Sequence, residues 1–433
     1  MAPNPFTFGN PIRDPAKFFG RSEELRQVVN RLRSSAHEST SIVGERRIGK
    51  TSLLKHLENG SVAQELGLPP DQFCMVYMDF QGLTDITPPR FWQRVLQKLE
   101  RAICRPELAV DIKQLRTQDA FDLFDLEDLF TMITDEGLIP VLLLDEFEYV
   151  TQNPNFGSDF FGGLRALAIH QNLPLVTATR RELIDLCHSE ELKGSPFFNI
   201  FSNIVLRPFN QEDVHALLDG YLEGMGISFT ESEREMVSKL GGGYPFFTQM
   251  AAFFMFDAKS NGLEKDALQQ QVCRQFDEQA DAHYAYMWGH TSESEKITLL
   301  ANMALSRQKA GPKTLPTIGN LAGMHQRAHL DVPELVKRGL LVENRTDDTY
   351  CLLSASLERW IAHEILAPPG EEEEQGSVGE WLSSGGRDNL EPVKGFLPKF
   401  KKKYWPIISS FAKDISLELI GNMAFEIMTK GMF

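Results

Sequence analysis

The feature that most constrains this chain is a glycine-rich segment, residues 44–51 (GERRIGKT), which fits G-x-x-x-x-G-K-[S/T] at every required position. A strand-like run at 39–43 precedes it and a helical pattern follows it, as a phosphate-binding loop between strand and helix requires. Backbone N–H groups of such a loop point into one concavity, glycines allow left-handed φ, and the helix adds its positive dipole end. The segment therefore predicts a site for the phosphates of ATP or ADP, and this context argues against a chance match.

The motif also predicts which side chains of the loop contact the nucleotide and Mg²⁺. Lys50 is placed to reach the β- and γ-phosphates, and the hydroxyl group of Thr51 is placed to ligate Mg²⁺. The other predicted nucleotide contacts in the segment are Gly44, Arg47, Ile48, Gly49 and Ser52.

A second motif follows about a hundred residues later, and its pairing with the phosphate loop is what gives it weight. The wholly apolar run 138–144 predicts a strand covered on both faces, and it ends in Asp145 and Glu146. Asp145 is predicted to ligate Mg²⁺, and Glu146 to orient or deprotonate the attacking water. Acidic residues also end strands simply at solvent, but the pairing with the phosphate loop favours the functional interpretation. Glu148 is interpreted as a solvated neighbour.

A third element lies after the apolar run 173–178. Thr179 is predicted to hydrogen-bond the attacking water or a phosphate, and Arg180 to sense the γ-phosphate. The alternative is a surface turn in which Thr179 caps a helix and Arg180 and Arg181 are solvated.

The order of secondary structure predicts an α/β fold. Strand-like runs alternate with helical patterns up to Pro208, which indicates a parallel five-stranded sheet covered by helices. Helices then take over, and from 286 the order helix, helix, helix, hairpin is typical of a winged helix. The predicted division is an ATPase core at 1–208, a helical lid at 209–285, a winged-helix domain at 286–366, a linker at 367–396 and an amphipathic helical tail at 397–433.

Composition narrows the class of protein. The net charge of -16 argues against a chain whose main task is to wrap nucleic acid. Five scattered cysteines without a CxxC spacing indicate reduced thiols rather than zinc, and hence a cytoplasmic protein. No export signal and no apolar run long enough to span a membrane is seen in the sequence.

Four segments together resemble the STAND signal-transduction NTPases, in the prokaryotic branch close to archaeal-type P-loop ATPases of the AAA+ superclass. They are residues 18–25 (FFGRSEEL), the phosphate loop with its paired arginines, Thr179-Arg180, and residues 242–246 (GGYPF). The resemblance implies that Phe19, Gly20 and Arg21 contact the adenine side of the nucleotide and that Pro245 lies against its base or ribose.

The same resemblance implies a mode of action. It predicts a slowly ATP-hydrolysing switch that is closed with ADP and opens with ATP into a form that assembles as a homo-oligomer. No long repeat array follows the predicted winged helix, so the sensing part that is usual in such proteins is not assigned.

Two interpretations stay open for the later part of the chain. The winged helix suggests an alternative function, a DNA-associated AAA+ ATPase similar to origin initiators, although the predicted recognition helix 331–338 carries Asp331 and Glu334 beside Lys337 and Arg338. This charge pattern favours packing within the chain. The tail begins with basic and aromatic residues at 399–405 and continues with an apolar stripe, which fits docking or self-assembly, peripheral contact with a membrane surface, or another partner protein.

Overall fold

The structure, a computed structural model, describes residues 3–189, 194, 196–306, 315–344 and 346–362. By its internal contacts the chain divides into two compact units. Among the described residues, the N-terminal unit comprises those within 9–206 and 219–221, and the C-terminal unit comprises those within 3–8, 207–218 and 222–362. The predicted linker 367–396 and tail 397–433 lie outside the described residues.

The N-terminal unit is built on a five-stranded parallel sheet, which confirms the predicted fold class. Its strands run in the order β2-β3-β4-β1-β5. β3 is buried along almost its whole length because helices cover both faces of the sheet, as its unbroken apolar sequence predicts. The strands are β1 (Thr40–Val43), β2 (Phe73–Asp79), β3 (Ile139–Asp145), β4 (Leu175–Thr179) and β5 (Ser202–Val205).

The helices of this unit pack their apolar stripes against the sheet. Pro88 starts α4 at a position that tolerates its missing amide, and an apolar stripe that includes Phe91, Val95 and Leu99 faces a core shared with Phe80 and Phe147. The helices are α1 (Ser22–Leu32), α2 (Lys50–Glu58), α3 (Gly60–Glu65), α4 (Pro88–Ala102), α5 (Pro106–Arg116), α6 (Leu123–Asp135), α7 (Glu148–Thr151) and α8 (Ser158–His170).

The C-terminal unit is helical with one hairpin. Thr230 and Glu233 form a capping box at the start of one helix, and Pro245 is the first residue of the next. The elements are α9 (Gln211–Leu222), α10 (Glu231–Gly241), α11 (Pro245–Ser260), α12 (Lys265–Gly289), α13 (Glu293–Ser306), α14 (Ile318–Met324), α15 (Ala328–Lys337), β6 (Leu341–Asn344), β7 (Thr349–Leu352) and α16 (Ala355–Trp360). Residues 219–221 of α9 belong to the N-terminal unit.

Polar contacts tie α16 to α12 within the C-terminal unit. Arg359 forms an ion pair with Asp277 at 3.0 Å, and the hydroxyl group of Ser356 donates to the same carboxylate at 2.6 Å. The indole N–H of Trp360 donates to Asp281 at 2.8 Å. The segments predicted as lid and as winged helix therefore pack together in one unit, while the domain assignment itself stays a prediction.

The predicted recognition helix starts earlier than the sequence pattern indicates, at Ala328 instead of Asp331. The carboxylate of Asp331 is buried and accepts hydrogen bonds from Ser294 at 2.7 Å and Thr298 at 2.8 Å. Arg338 is also buried and pairs with Glu295 at 3.3 Å. Two of the four charges of this helix thus serve packing within the unit.

Across the part of the chain that the structure describes, every helix is too short or too polar to cross a bilayer.

Candidate functional site

The predicted phosphate loop connects β1 to α2, as the motif requires. Its left-handed positions are Gly49, with φ 106°, and Arg47, with φ 69°. Gly44 is not left-handed, so the expectation that both glycines supply positive φ is wrong for this one. Gly44 is needed for close approach instead, because a Cβ there would lie 2.8 Å from Cγ2 of Ile48 and 3.3 Å from the carbonyl oxygen of Leu206.

Lys50 lies inside the loop. Its side chain is buried, and Nζ donates hydrogen bonds to the carbonyl oxygens of Gly44 at 2.8 Å and Glu45 at 3.3 Å. A buried ammonium group is costly unless it is hydrogen-bonded, and these carbonyl groups hold it at the concave side of the loop. The amine is therefore positioned where an anion bound by the loop would contact it.

Asp145 ends β3 and is held by two donors. The phenol of Tyr77 on β2 donates to Oδ2 at 2.9 Å, and the amide of Glu146 donates to Oδ1 at 3.0 Å. Burial raises the pKa of Asp145, against the opposing effect of Thr51, Tyr77 and the charge of Lys50. The sequence pattern did not single out Tyr77, because nothing in the spacing of residue 77 shows that it reaches the end of the neighbouring strand.

The two predicted Mg²⁺ ligands, Thr51 and Asp145, lie close enough for Thr51 to lower the pKa of Asp145. Both offer oxygen atoms, the donor type that Mg²⁺ prefers. Among the described residues no group of three or more His, Cys, Asp and Glu side chains could form a metal cage. Mg²⁺ in nucleotide sites is bound through one or two protein ligands plus phosphate oxygens, so this donor set fits an ion that arrives with a nucleotide.

Glu146 follows Asp145 with an unusual backbone. Its φ of 53° lies in the left-handed region, which non-glycine residues occupy rarely. Burial, with the neighbouring charge of Glu148, raises the pKa of Glu146 to about 7, and the charges of Lys50 and Arg180 oppose the shift. A carboxyl group with this pKa can accept a proton near neutral pH.

Glu148 is not a solvated neighbour, and that interpretation of the sequence is wrong. Its side chain is buried, and its Oε1 lies 2.9 Å from Nε of Arg180. The reason is the register of the sheet: Asp145 pairs with Ala178, and the amide of Phe147 still donates to Ala178, so the chain stays beside the end of β4. Glu148 consequently faces Arg180 instead of solvent.

Thr179 ends β4 and is fully buried. Its hydroxyl group donates to the carbonyl oxygen of Arg181 at 2.7 Å, which closes the turn after the strand. It therefore does not cap a helix, and of the two arginines after it only Arg181 is exposed. A hydrogen bond from Thr179 to water or phosphate stays a prediction.

The segment predicted to contact adenine is joined to the phosphate loop. Arg21 is buried, pairs with Glu24 at 2.9 Å and donates from its second Nη to the carbonyl oxygen of Ile48 at 3.0 Å. Gly20 has a φ of 74°, which turns the chain between Phe19 and this arginine. The ring of Phe19 packs on Tyr221 at 5.9 Å.

The remaining predicted contacts are placed as follows. Arg47 donates to the carbonyl oxygen of Gly9 at 2.8 Å, and the hydroxyl group of Ser52 accepts from the amide of Ile12 at 3.0 Å. These two residues thus hold the segment 9–12 against the loop, a contact that the motif does not indicate. Pro245 belongs to the C-terminal unit, and its role at the base stays a prediction.

A phosphate loop whose lysine begins the next helix, with an acidic pair at the carboxyl end of β3 in the same parallel sheet, defines the class of P-loop NTPases. The family described as "Novel STAND NTPase 2" matches residues 26–305, which is more than half of the 433 residues. The chain belongs to this family, and the resemblance to STAND NTPases is confirmed.

Known proteins are similar over much of the chain. An uncharacterized ATP-binding protein of Methanocaldococcus jannaschii is 21% identical over 275 residues, which are 53% of this chain and 70% of that protein. A Walker-type ATPase of Pyrococcus abyssi matches with a TM-score of 0.51 at 16% identity and covers 82% of this chain and 98% of its own. The ORC2 protein of Aeropyrum pernix matches with a TM-score of 0.47 at 16% identity, over 79% and 96% of the two chains. At 16% identity the Pyrococcus abyssi structure shows a shared fold and nothing more, and the TM-score of the ORC2 protein is too low to support an argument.

Proposed function

We propose that this chain is an ATP-binding and ATP-hydrolysing molecular switch. The observation that carries the proposal is the convergence of Lys50, Thr51, Asp145 and Glu146 at the carboxyl edge of one parallel sheet. The curated relative described as ATP-binding supports ATP as the nucleotide.

The chemistry assigned to each group follows from its surroundings. Lys50 neutralises phosphate charge from inside the loop, and Thr51 with Asp145 would hold Mg²⁺, which screens the charge of the phosphates. Glu146 accepts the proton of the attacking water, for which its pKa near neutrality suits it. Hydrolysis is expected to be slow, because a switch must keep its ATP-bound state long enough to act.

The switching step rests on charge. ATP carries a terminal phosphate that ADP lacks, and a state that neutralises this phosphate is favoured only while ATP is bound. A nucleotide can shift the equilibrium between the two states only by as much as its binding free energies to them differ. We expect the ATP state to be the one that assembles into a homo-oligomer. The exposed Arg207 is a candidate for the arginine that one subunit would supply to the nucleotide site of the next subunit in such an oligomer.

The DNA-associated alternative receives no support from the recognition helix. DNA phosphates attract unpaired cations at a protein surface, whereas Arg338 is buried against Glu295 and Lys337 lies 4.0 Å from Glu334. The switch is therefore the function that the geometry favours.

The decisive experiment is to measure nucleotide binding and then size. Equilibrium dialysis with Mg²⁺ should show that the full chain retains both ADP and a non-hydrolysable ATP analogue. Light scattering after size exclusion should then give a larger species with the analogue than with ADP. Retention of neither nucleotide by folded protein would refute the site, and equal mass with both would refute the nucleotide-dependent assembly.

A further inference from the structure

An ion pair lies beside the carboxyl group proposed to accept the proton. Nε of Arg180, directly after β4, is 2.9 Å from Oε1 of Glu148 on α7. The Glu148 side chain is only 1% exposed, against 30% for Arg180. Both charges shift the pKa of Glu146, Glu148 upward and Arg180 downward, so the pair lies within electrostatic reach of the proposed site. The sequence pattern predicts a role for Arg180 and none for Glu148.

Packing alone does not explain a carboxylate at position 148. Its second oxygen, Oε2, is buried and has no hydrogen-bond partner in the described part of the chain. A buried acceptor without a partner costs about 1–3 kcal/mol, and more when it is charged. Apolar residues of similar volume often replace a buried ion pair without loss of stability, so the pair is weak evidence for a stabilising role. The carboxylate therefore has to be explained by what it does to Arg180.

The sheet fixes the geometry of the pair. Because Asp145 is in register with Ala178 and the amide of Phe147 also donates to Ala178, α7 begins at a set distance from the residue after β4. An arginine side chain is long and flexible, but its guanidinium group is planar and its N–H donors have fixed directions. Because Nε of Arg180 donates to the buried Oε1 of Glu148, the orientation of the guanidinium plane is set, and with it the directions of the other N–H donors. This edge of the sheet is where parallel α/β folds bind their ligands.

We propose that Glu148 is a positioning residue, which orients the guanidinium group of Arg180 toward the terminal phosphate of ATP and so contributes to the discrimination of ATP from ADP. This proposal rests on the proposed function, since it requires a nucleotide at the phosphate loop. A guanidinium group has five N–H donors, so one group can bridge a carboxylate and a phosphate. ADP offers no phosphate at this place, and its affinity does not depend on the pair.

The test is a double-mutant cycle in the full chain with Glu148→Gln, Arg180→Gln and the double variant. Glu136→Gln, at an exposed position after α6, is the matched control. The affinities for ADP and for a non-hydrolysable ATP analogue are measured with Mg²⁺ by calorimetry. Charge-assisted hydrogen bonds are about twice as strong as neutral ones, so each single variant should bind the analogue about tenfold more weakly, while ADP affinity changes less than twofold. The double variant should lose no more than Arg180→Gln alone, because the two residues act as one unit.

Other outcomes overturn the proposal. If analogue and ADP binding weaken equally, Glu148 supports the fold of the site and does not position Arg180. If the losses add in the double variant, or Glu148→Gln binds the analogue as tightly as the unchanged chain, the two residues do not act together. Arg180→Gln leaves a buried carboxylate unpaired and can fail to fold, in which case Glu148→Gln and the double variant must still show the same analogue-selective loss. If the unchanged chain binds neither nucleotide, the proposed function itself fails, which is a distinct result.

Discussion

Tyr77 and Asp145 form a hydrogen bond of 2.9 Å between neighbouring strands of the sheet, from the phenol to Oδ2. The ring of the same tyrosine is covered by the ammonium group of Lys55, at 3.2 Å from its centroid. Burial, with the neighbouring charge and hydrogen bond of Asp145, raises the pKa of Tyr77, so it stays a donor at all physiological pH values. Asp145 is thus oriented by a group on another strand before any ion binds.

Replacement of Tyr77 by phenylalanine should weaken the use of Mg²⁺. The change keeps the ring and removes the donor, so one buried carboxylate oxygen of Asp145 loses a partner. Loss of a group that orients a metal ligand typically lowers metal affinity about 10–100-fold. We therefore expect a half-saturating Mg²⁺ concentration at least about tenfold higher in ATP hydrolysis, with nucleotide affinity in excess Mg²⁺ nearly unchanged. Unchanged Mg²⁺ dependence would show that Asp145 is oriented without the phenol of Tyr77, by the amide of Glu146 and by burial.

Replacement of Lys50 by alanine should remove nucleotide binding. The variant deletes a buried ammonium group and leaves the carbonyl oxygens of Gly44 and Glu45 as acceptors facing the bound anion. We expect the affinity for both ADP and ATP to fall at least about a hundredfold. The phosphates lose hydrogen bonds to a charged group, worth about 1.5–3 kcal/mol each, and are repelled by the exposed carbonyl oxygens. Fluorescent-nucleotide titration measures this, and Lys113→Ala on the exposed face of α5 should bind like the unchanged chain. Wild-type-like binding by Lys50→Ala would contradict the loop assignment.

The rate of hydrolysis should rise with pH through neutrality. The carboxylate form of Glu146 is the one that accepts a proton, and burial with the charge of Glu148 raises its pKa to about 7. Below that pH most of the group is protonated and inactive, so kcat/KM, which reports the free protein, should fall about tenfold per pH unit on the acid side and level off above about pH 8. Glu146→Gln should be slow at every pH and should accumulate the ATP-bound form. A flat profile for the unchanged chain would refute the role of Glu146.

The elements of the sheet and the phosphate loop could be predicted because their signals are local. The strand-like runs are bounded by turns, and the loop motif specifies its own strand and helix, so β1, β3 and β4 lie within a few residues of the predicted runs. The spatial order β2-β3-β4-β1-β5 could not be predicted, since it depends on crossovers and not on any one segment.

The contacts that were missed all join distant segments. Glu148 was interpreted as solvated because an acidic residue after a strand is ordinarily exposed. Its burial depends on the β3–β4 register and on the one-turn helix α7, neither of which the local pattern shows. The bond from Tyr77 to Asp145 and the anchoring of Arg21 on Ile48 are of the same kind. Local sequence patterns are enough to predict the groups proposed to react, whereas the groups that orient them can be found only from the three-dimensional structure.

Acid should destabilise the C-terminal unit through Asp331. Burial favours the neutral form of this carboxyl group, but hydrogen bonds from His325, Ser294 and Thr298 outweigh it and lower its pKa. A folded-state pKa below the unfolded value stabilises the fold above the unfolded pKa of about 3.9, and the contribution is lost as pH falls through the folded-state value. In thermal unfolding, Asp331→Asn should therefore lower Tm clearly at pH 7 and by less near pH 3. Glu278→Gln on the exposed face of α12 should lower Tm at neither pH, and an equal loss at both pH values for Asp331→Asn would contradict the ionic contribution.

Gly242 should tolerate no side chain, because two constraints act on it together. Its φ of 58° is left-handed, and a Cβ would overlap the carbonyl oxygen of Leu353, where the end of α10 meets the segment after β7. The conformational term alone costs about 1–2 kcal/mol for alanine, and displacing the Leu353 backbone adds about 1–3 kcal/mol. Gly262 separates the two contributions, since its φ is 73° and a Cβ there would meet no atom within 4 Å. Gly262→Ala should therefore lose only the conformational part in chemical denaturation, and Gly242→Ala should lose about twice as much or more. Equal losses would mean that the α10 end and the Leu353 segment do not pack as closely in solution as the backbone geometry requires.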